Sequence, residues 1–363
     1  MSRDDTPGIR PMSDAHRIDV GTLQAWLQSH LAGFEGPLQV RMFEGGQSNP
    51  TYLLSTPHQH YVMRAKPGPA AKLLPSAHAI EREFRVMQAL HGTDVPVAPM
   101  HVLCEDESVI GRAFYIMGYV QGRVLWDQTL PGMSPAERAA IYDEANRVMA
   151  AMHTVNFAAI GLADYGRAGN YFERQIGRWS KQYLASITDP IVEMDHLIEW
   201  LPQHIPASAR DESQASIVHG DYRLDNLIFH PTESKVLAVL DWELSTIGHP
   251  LADFSYHCMA WHIPPGTFRG IAGVDIAALG IPDEASYVAR YCERSGLATP
   301  EALALDWNFY LAYNMFRIAA ILQGIAKRVE EGTASSAQAR ANAASARPMA
   351  ELAWSYAQKA QVA

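Results

Sequence analysis

Hydrophobic and polar positions change rhythm once along this chain. Between Leu38 and Met117 the apolar residues come in short runs. Leu38–Phe43 alternates, Tyr52–Leu54 resumes after the glycine-containing stretch 44–49, and Tyr61–Arg64, His101–Cys104 and Ala113–Met117 follow. Such runs, bounded by turn residues, predict strands, the first two forming a hairpin. Helical spacing appears in Leu23, Trp26, Leu27 and Leu31, and again in Ile80, Phe84, Met87 and Leu90 within a predicted helix 77–90. After Gly122 the rhythm is helical throughout. Ser134 with Glu137 three residues on reads as a capping box opening a helix that runs to about His153. Further helices fit 170–186, 191–201, 284–295, 306–329 and 348–358, while the Ala- and Ser-rich stretch 332–346 fits a connection or a weak surface helix.

This is the pattern of an α+β chain, a small antiparallel sheet followed by a helical majority. The expected organisation is a tail over 1–20, a sheet-rich part over 21–120, a helical part over 121–330, and a connection with a terminal helix over 331–363. With 363 residues, 48% of them hydrophobic, the chain has ample material for a core. The formal charge of −10 argues against a nucleic-acid surface. Cys104, Cys258 and Cys292 are odd in number and widely spaced, which fits a reducing compartment better than a disulfide framework. The first residues lack a signal-peptide core, and no window approaches the roughly 18 apolar residues of a membrane span, so a cytoplasmic protein without a membrane partner is expected. No feature bears on oligomeric state.

One segment, 217–257, departs from both rhythms. It begins Ile217-Val218-His219-Gly220-Asp221-Tyr222-Arg223-Leu224-Asp225-Asn226 and passes through the apolar run Val236–Leu240 to Asp241-Trp242-Glu243. Phosphoryl transfer needs an acceptor for a hydroxyl proton, oxygen ligands for Mg²⁺ and cations against phosphates, and the segment offers all three. Asp221 and Asn226 keep the separation of the catalytic Asp and the metal-binding Asn of a kinase loop, and Asp241 closes the next strand. HGDYRLDNLIF with VLDWE resembles the aminoglycoside phosphotransferase family, relatives of choline kinases and protein kinases, over roughly residues 38–325.

That resemblance implies a bilobal protein-kinase-like fold, with a small antiparallel-sheet N-lobe, a larger mainly helical C-lobe and ATP between them. It implies Asp221 as catalytic base, Asn226 and Asp241 as Mg²⁺ ligands, and Arg223 as a cation near the γ-phosphate. His219 would hold the loop or take part in proton chemistry, and Asp253 would support the loop from a helix start. Gly45 and Gly46 at the hairpin tip would let backbone approach phosphates, with Ser48 or Asn49 as donors. Tyr61-Val62-Met63-Arg64 resembles the kinase Val-Ala-Ile-Lys strand, which puts Arg64, or Lys66 two residues on, against the α- and β-phosphates. Glu83, or Glu81, would hold that cation. Met117-Gly118-Tyr119-Val120 resembles the hinge, so Met117, Tyr119 and Val120 would meet the adenine.

Asp241 is followed by Trp242-Glu243 in place of Phe-Gly, and no Ala-Pro-Glu ending follows, so a small-molecule hydroxyl fits better than a protein acceptor. Arg174, Arg178 and Lys181 fall at i, i+4 and i+7 and make a basic stripe; Tyr310, Asn314 and Arg317 share that spacing on a later helix. Segments such as YFERQIGRWSKQY also occur in phosphotransferase-like proteins related to domains fused to acyl-CoA dehydrogenases, and the chain resembles these most. An anionic acceptor, a hydroxyacyl-CoA-like compound or a hydroxy acid, is the resulting expectation. The alternatives are an aminoglycoside-type antibiotic kinase and a nucleotide-binding pseudokinase that serves as an interaction module.

Overall fold

The computed structural model describes residues 8–13, 16–43, 49–67, 79–334 and 337–362. The chain divides into two compact units, one of Met1–Arg123, Ile228–Pro231 and Leu237–Ser245, the other of Val124–Leu227, Thr232–Val236 and Thr246–Ala363.

The first unit contains β1 (Ile9–Arg10), α1 (Val20–His30), β2 (Gln39–Phe43), β3 (Thr51–Ser55), β4 (His60–Ala65), α2 (Ile80–Leu90), β5 (Met100–Cys104) and β6 (Phe114–Gly118). Its six-stranded sheet has the order β1-β2-β3-β4-β6-β5, and every neighbouring pair is antiparallel. The β2–β3 hairpin is the one the alternation predicts. Leu23 and Leu27 of α1 share a core with Tyr52, Leu54, Tyr61, Met63, Ala65, Phe114 and Ile116. These are alternate positions of β3, β4 and β6, so Leu53, Val62, Arg64 and Tyr115 project from the opposite face. Arg64 pairs in register with Tyr115 there.

Onward the chain forms β7 (Arg123–Val124), α3 (Pro135–Thr154), α4 (Tyr171–Ser186), α5 (Val192–Gln203), β8 (Ser216–Val218), β9 (Leu227–Phe229), β10 (Val236–Val239) and β11 (Thr246–Gly248). It ends with α6 (Pro250–Cys258), α7 (Ile276–Leu279), α8 (Glu284–Ser295), α9 (Pro300–Glu330), α10 (Ala337–Ala344) and α11 (Ala346–Val362). A three-stranded sheet has the order β10-β9-β7, and β8 pairs antiparallel with β11.

In the second unit α3 opens on the predicted capping box of Ser134 and Glu137. The central helix is α9, buried through most of Phe309–Gln323 and packed on α4, α6 and α11. It begins six residues before the hydrophobic pattern alone suggests. Thr299 Oγ1 accepts from the Ala302 amide at 3.2 Å and Pro300 occupies the first turn, so the start is set by capping and not by burial. Among the described residues no helix is long and apolar enough to cross a membrane.

Candidate active site

In the second unit the segment after β8 is shaped by its backbone first. Gly220 takes φ 83°, a left-handed conformation that costs glycine nothing sterically. The amides of His219 and Gly220 then donate to Oδ2 and Oδ1 of Asp253 at 2.6 and 2.9 Å. The Asp221 amide donates to Nδ1 of His219 at 3.1 Å. Asp253 lies in the first turn of α6 and is fully buried beside His153, whose Nε2 is 3.4 Å from Oδ2. From α9, Arg317 donates to the carbonyl of Gly220. Tyr222 is buried and donates to the Ala145 carbonyl of α3 at 2.8 Å.

Asp221 keeps about a fifth of its side chain exposed (20%). Its Oδ1 accepts from the Tyr256 hydroxyl, and its Oδ2 accepts from Nη2 of Arg223 at 3.0 Å and Nδ2 of Asn226 at 3.1 Å. A 3₁₀ turn over Leu224–Asn226, closed by the Asn226 amide on the Arg223 carbonyl at 2.9 Å, returns Asn226 to Asp221. Burial and the Asp221 charge push the Tyr256 hydroxyl above its usual range, so it remains a donor.

Burial opposes a charge on Asp253, but the hydrogen bond from His153, the positive character of His153 and His219, and the His219 amide outweigh it and hold the carboxyl below its usual range. A depressed carboxylate contributes stability above its unfolded-state pKa and loses it as pH falls through the folded-state value. Asp253→Asn is therefore expected to lower the urea midpoint at neutral pH, by on the order of 3 kcal/mol if two charge-assisted amide bonds are weakened. The gap to wild type should narrow on acidification. A gap independent of pH between neutrality and the acid limit would show that the Asp253 charge does not anchor the loop.

In the first unit Arg64 meets three carboxylates. Its Nε is 3.1 Å from Oε2 of Glu83, and its Nη2 donates to Oδ1 of Asp241 at 2.8 Å and Oε2 of Glu243 at 3.1 Å. Burial works against the Arg64 charge, but Glu83, Tyr115, Asp241 and Glu243 prevail and raise its pKa. Glu83, on α2, is buried and accepts from Nδ2 of Asn49 at 2.9 Å and the Tyr115 hydroxyl at 3.1 Å. Its desolvation outweighs Arg64 and raises the carboxyl above the usual range. Lys66, the first residue past β4, pairs with Glu81 at 3.0 Å. Asp241 has φ 63° and ψ 57°, a left-handed conformation uncommon for a residue with a side chain, and a third of that side chain is exposed (34%).

Other residues singled out by the sequence are placed as follows. Gly45, Gly46 and Ser48 lie outside the described residues. Met117 pairs with Val62 and Met100 near the end of β6; Tyr119 and Val120 follow it, half-buried. On α4, Arg178 and Lys181 are exposed, and Arg174 donates to the Arg167 carbonyl at 2.5 Å. Asn314 is buried on α9, its Nδ2 donating to the Ala252 carbonyl at 3.0 Å and Ser255 Oγ at 2.7 Å. Among the described residues no group of three or more His, Cys, Asp or Glu is arranged to hold a metal.

The profile of the phosphotransferase enzyme family matches residues 39–305. The chain belongs to the phosphotransferase enzyme family. Its likeness to a Ralstonia eutropha crystal structure, provisionally named an aminoglycoside phosphotransferase, extends over 94% of this chain and 99% of that one, at 66% identity and a TM-score of 0.86. The aminoglycoside phosphotransferase APH(2″)-IIa, solved with streptomycin and ATP, shares the fold at 16% identity and a TM-score of 0.56, over 84% of this chain and 91% of that one. Mouse acyl-CoA dehydrogenase family member 10 is 45% identical over 97% of this chain, which spans 32% of that protein. The fold is thus the kinase-like α+β fold, and the protein is a phosphotransferase.

Several residues of this phosphotransferase escape sequence reasoning. Tyr256 reaches Asp221 because it stands three residues after Asp253 on α6, one helical turn along the same face, a signal the sequence carries. Glu243 joins the Arg64 network through the short turn after β10. Asp225 and Arg269 form a 2.9 Å ion pair between segments whose proximity no local pattern announces.

Proposed function

We propose that this phosphotransferase moves the γ-phosphoryl group of ATP, with Mg²⁺, onto a small-molecule hydroxyl. The observation that carries the reading is the Asp221 carboxylate, partly exposed and fixed by Tyr256, Arg223 and Asn226 on a loop whose own amides are tethered. A carboxylate so oriented accepts the hydroxyl proton as the acceptor attacks. Arg223 supplies positive charge beside it, while His219, through its ring and its amide, positions the loop. In the first unit Arg64, steadied by Glu83, is the cation for the nucleotide phosphates, with Lys66, just past the end of β4, as the alternative.

Asn226 in the second unit and Asp241 in the first each offer an oxygen that would serve as a Mg²⁺ ligand. The Asn226 amide nitrogen is taken by Asp221, which leaves its oxygen as the ligand, and Asp241 offers an exposed carboxylate. Both are the hard donors that Mg²⁺ prefers, and the ion needs only one or two such side chains when phosphates and waters complete its shell. When bound, Mg²⁺ neutralises charge on the β- and γ-phosphates. The ATP complex of the aminoglycoside kinase of the same fold supports this nucleotide use.

For the acceptor, the reading is a hydroxy acid or a hydroxyacyl-CoA-like compound. It is supported by the basic residues Arg174, Arg178 and Lys181 on α4, by Arg317, and by the acyl-CoA dehydrogenase name of the mouse relative. The test is ADP release with MgATP over hydroxy acids, hydroxyacyl-CoAs, choline-like amines, sugars and aminoglycosides. Stimulation by the first two classes, abolished by chelation of Mg²⁺, is expected. No Mg²⁺-dependent ADP formation with any class would overturn the reaction, and stimulation by aminoglycosides alone would overturn the acceptor.

A further inference from the structure

Within the second unit, a small pocket of about 20 Å³, open to solvent, lies beside the Asp221 loop, lined by Gln128, Arg223, Tyr256, Phe268 and Arg269 among others. The Tyr256 hydroxyl donates to Asp221, so one side chain connects the pocket wall to the proposed base. Its polar lining comprises two guanidinium ions, the side chains of Tyr256 and His257, and the amide of Gln128, only 5% exposed, whose Nε2 is buried without a hydrogen-bond partner among the described residues. An unpartnered buried donor is rare in native proteins and calls for a partner that completes it. Met259, Ile263 and the Phe268 ring provide an apolar wall.

The loop that supplies Arg269 is held in a costly shape. The Ile271 amide donates to the Ala260 carbonyl at 2.7 Å and the Ala272 amide to the Ile263 carbonyl at 2.9 Å, which closes the loop into a ring. Gly270 is required there, since any Cβ would collide with the Ile263 carbonyl. Phe268 and Arg269 both take left-handed backbone conformations, φ 37° and 58°, which residues with side chains rarely adopt. The result sets Arg269 at 2.9 Å and Arg223 at 3.5 Å from the same oxygen of Asp225, itself buried. Burial and the adjacent Arg223 charge pull the Arg269 pKa down; Asp225 is the carboxylate the two cations have in common, and Arg223 pairs with Asp221 as well.

We infer that this pocket is an oxyanion subsite for the acceptor, in which Arg269, Arg223 and Nε2 of Gln128 hold a carboxylate or phosphate group a few bonds from the hydroxyl presented to Asp221. Two guanidiniums and the unpartnered amide nitrogen select an acceptor group that carries charge, and the apolar wall suits the carbon to which it is attached. The inference rests on the phosphoryl-transfer reading for the role of Asp221, but binding in the pocket does not require turnover.

Calorimetric titration of the nucleotide-free full chain separates the two. The probes are inorganic phosphate and 3-hydroxybutyrate, titrated into wild type, Arg269→Gln, Gln128→Leu and Arg290→Ala. Wild type should bind at least one probe, and Arg269→Gln should weaken it about tenfold or more. Gln128→Leu, which leaves the loop and its ion pair intact, should weaken it severalfold, while Arg290→Ala, exposed on α8 and outside the pocket, should match wild type. Binding of 3-hydroxybutyrate alone assigns the subsite to a carboxylate, and binding of phosphate alone assigns it to a phosphoryl group. Wild type that binds neither probe, or pocket variants that bind as wild type does, overturn the subsite. Failure of ATP turnover with these titrations intact overturns the phosphoryl-transfer reading instead.

Discussion

Asp221→Asn is expected to bind MgATP as wild type does and to lose roughly 10²- to 10⁴-fold in kcat, the range that a positioned general base supplies. That is about 3–5 kcal/mol of transition-state stabilisation. The variant should keep its fold for a specific reason. Its amide oxygen can occupy the position of Oδ2, where Arg223 and Asn226 donate, and its NH₂ then faces the Tyr256 hydroxyl, which can turn to accept. Geometry is preserved and basicity is lost. Turnover within twofold of wild type in an ADP-release assay, with nucleotide affinity unchanged, would remove Asp221 from the chemistry.

Asp241→Ala should act on a different quantity. Loss of one charged oxygen ligand is expected to weaken MgATP binding by roughly 100-fold, about 3 kcal/mol, with little change for ATP in the absence of the metal. The first unit should tolerate the change, because Arg64 retains Glu83 and Glu243 and no cation is left without a counter-charge. Paired titrations of ATP with and without Mg²⁺ check this. Equal Mg²⁺ dependence in the two proteins would mean that Asp241 serves the Arg64 network and not the ion.

Much of this was legible in the sequence because it depends on neighbours along the chain. The apolar run gave the strand that carries Arg64, and the capping box gave the start of α3. The family resemblance implied Asp253 as support of the Asp221 loop, and its carboxylate receives the His219 and Gly220 amides. What escaped depends on tertiary placement. The side chain of Asn49, read as a phosphate donor, is buried and donates to Glu83, a contact between residues 34 positions apart. Arg269 is invisible as a functional residue until a strained loop brings it to Asp225, and the early start of α9 was marked only by Thr299 and Pro300. Patterns of burial report which side faces the core, and they are silent on which polar atoms meet there.

The tethering of Gly220 has a further consequence. Three successive peptide N–H groups, of His219, Gly220 and Asp221, end on side chains, and the Gly220 carbonyl ends on Arg317, so the peptide plane between Gly220 and Asp221 is gripped at both poles of its dipole. A plane held at both poles cannot crankshaft, even though it follows the most permissive residue of the loop. The dipoles around Asp221 are thus set when α6 and α9 dock, and they do not need to reorient as charge moves during the reaction. The freedom that glycine brings to folding is quenched once the native packing forms, and what remains at the site is a fixed electrostatic frame.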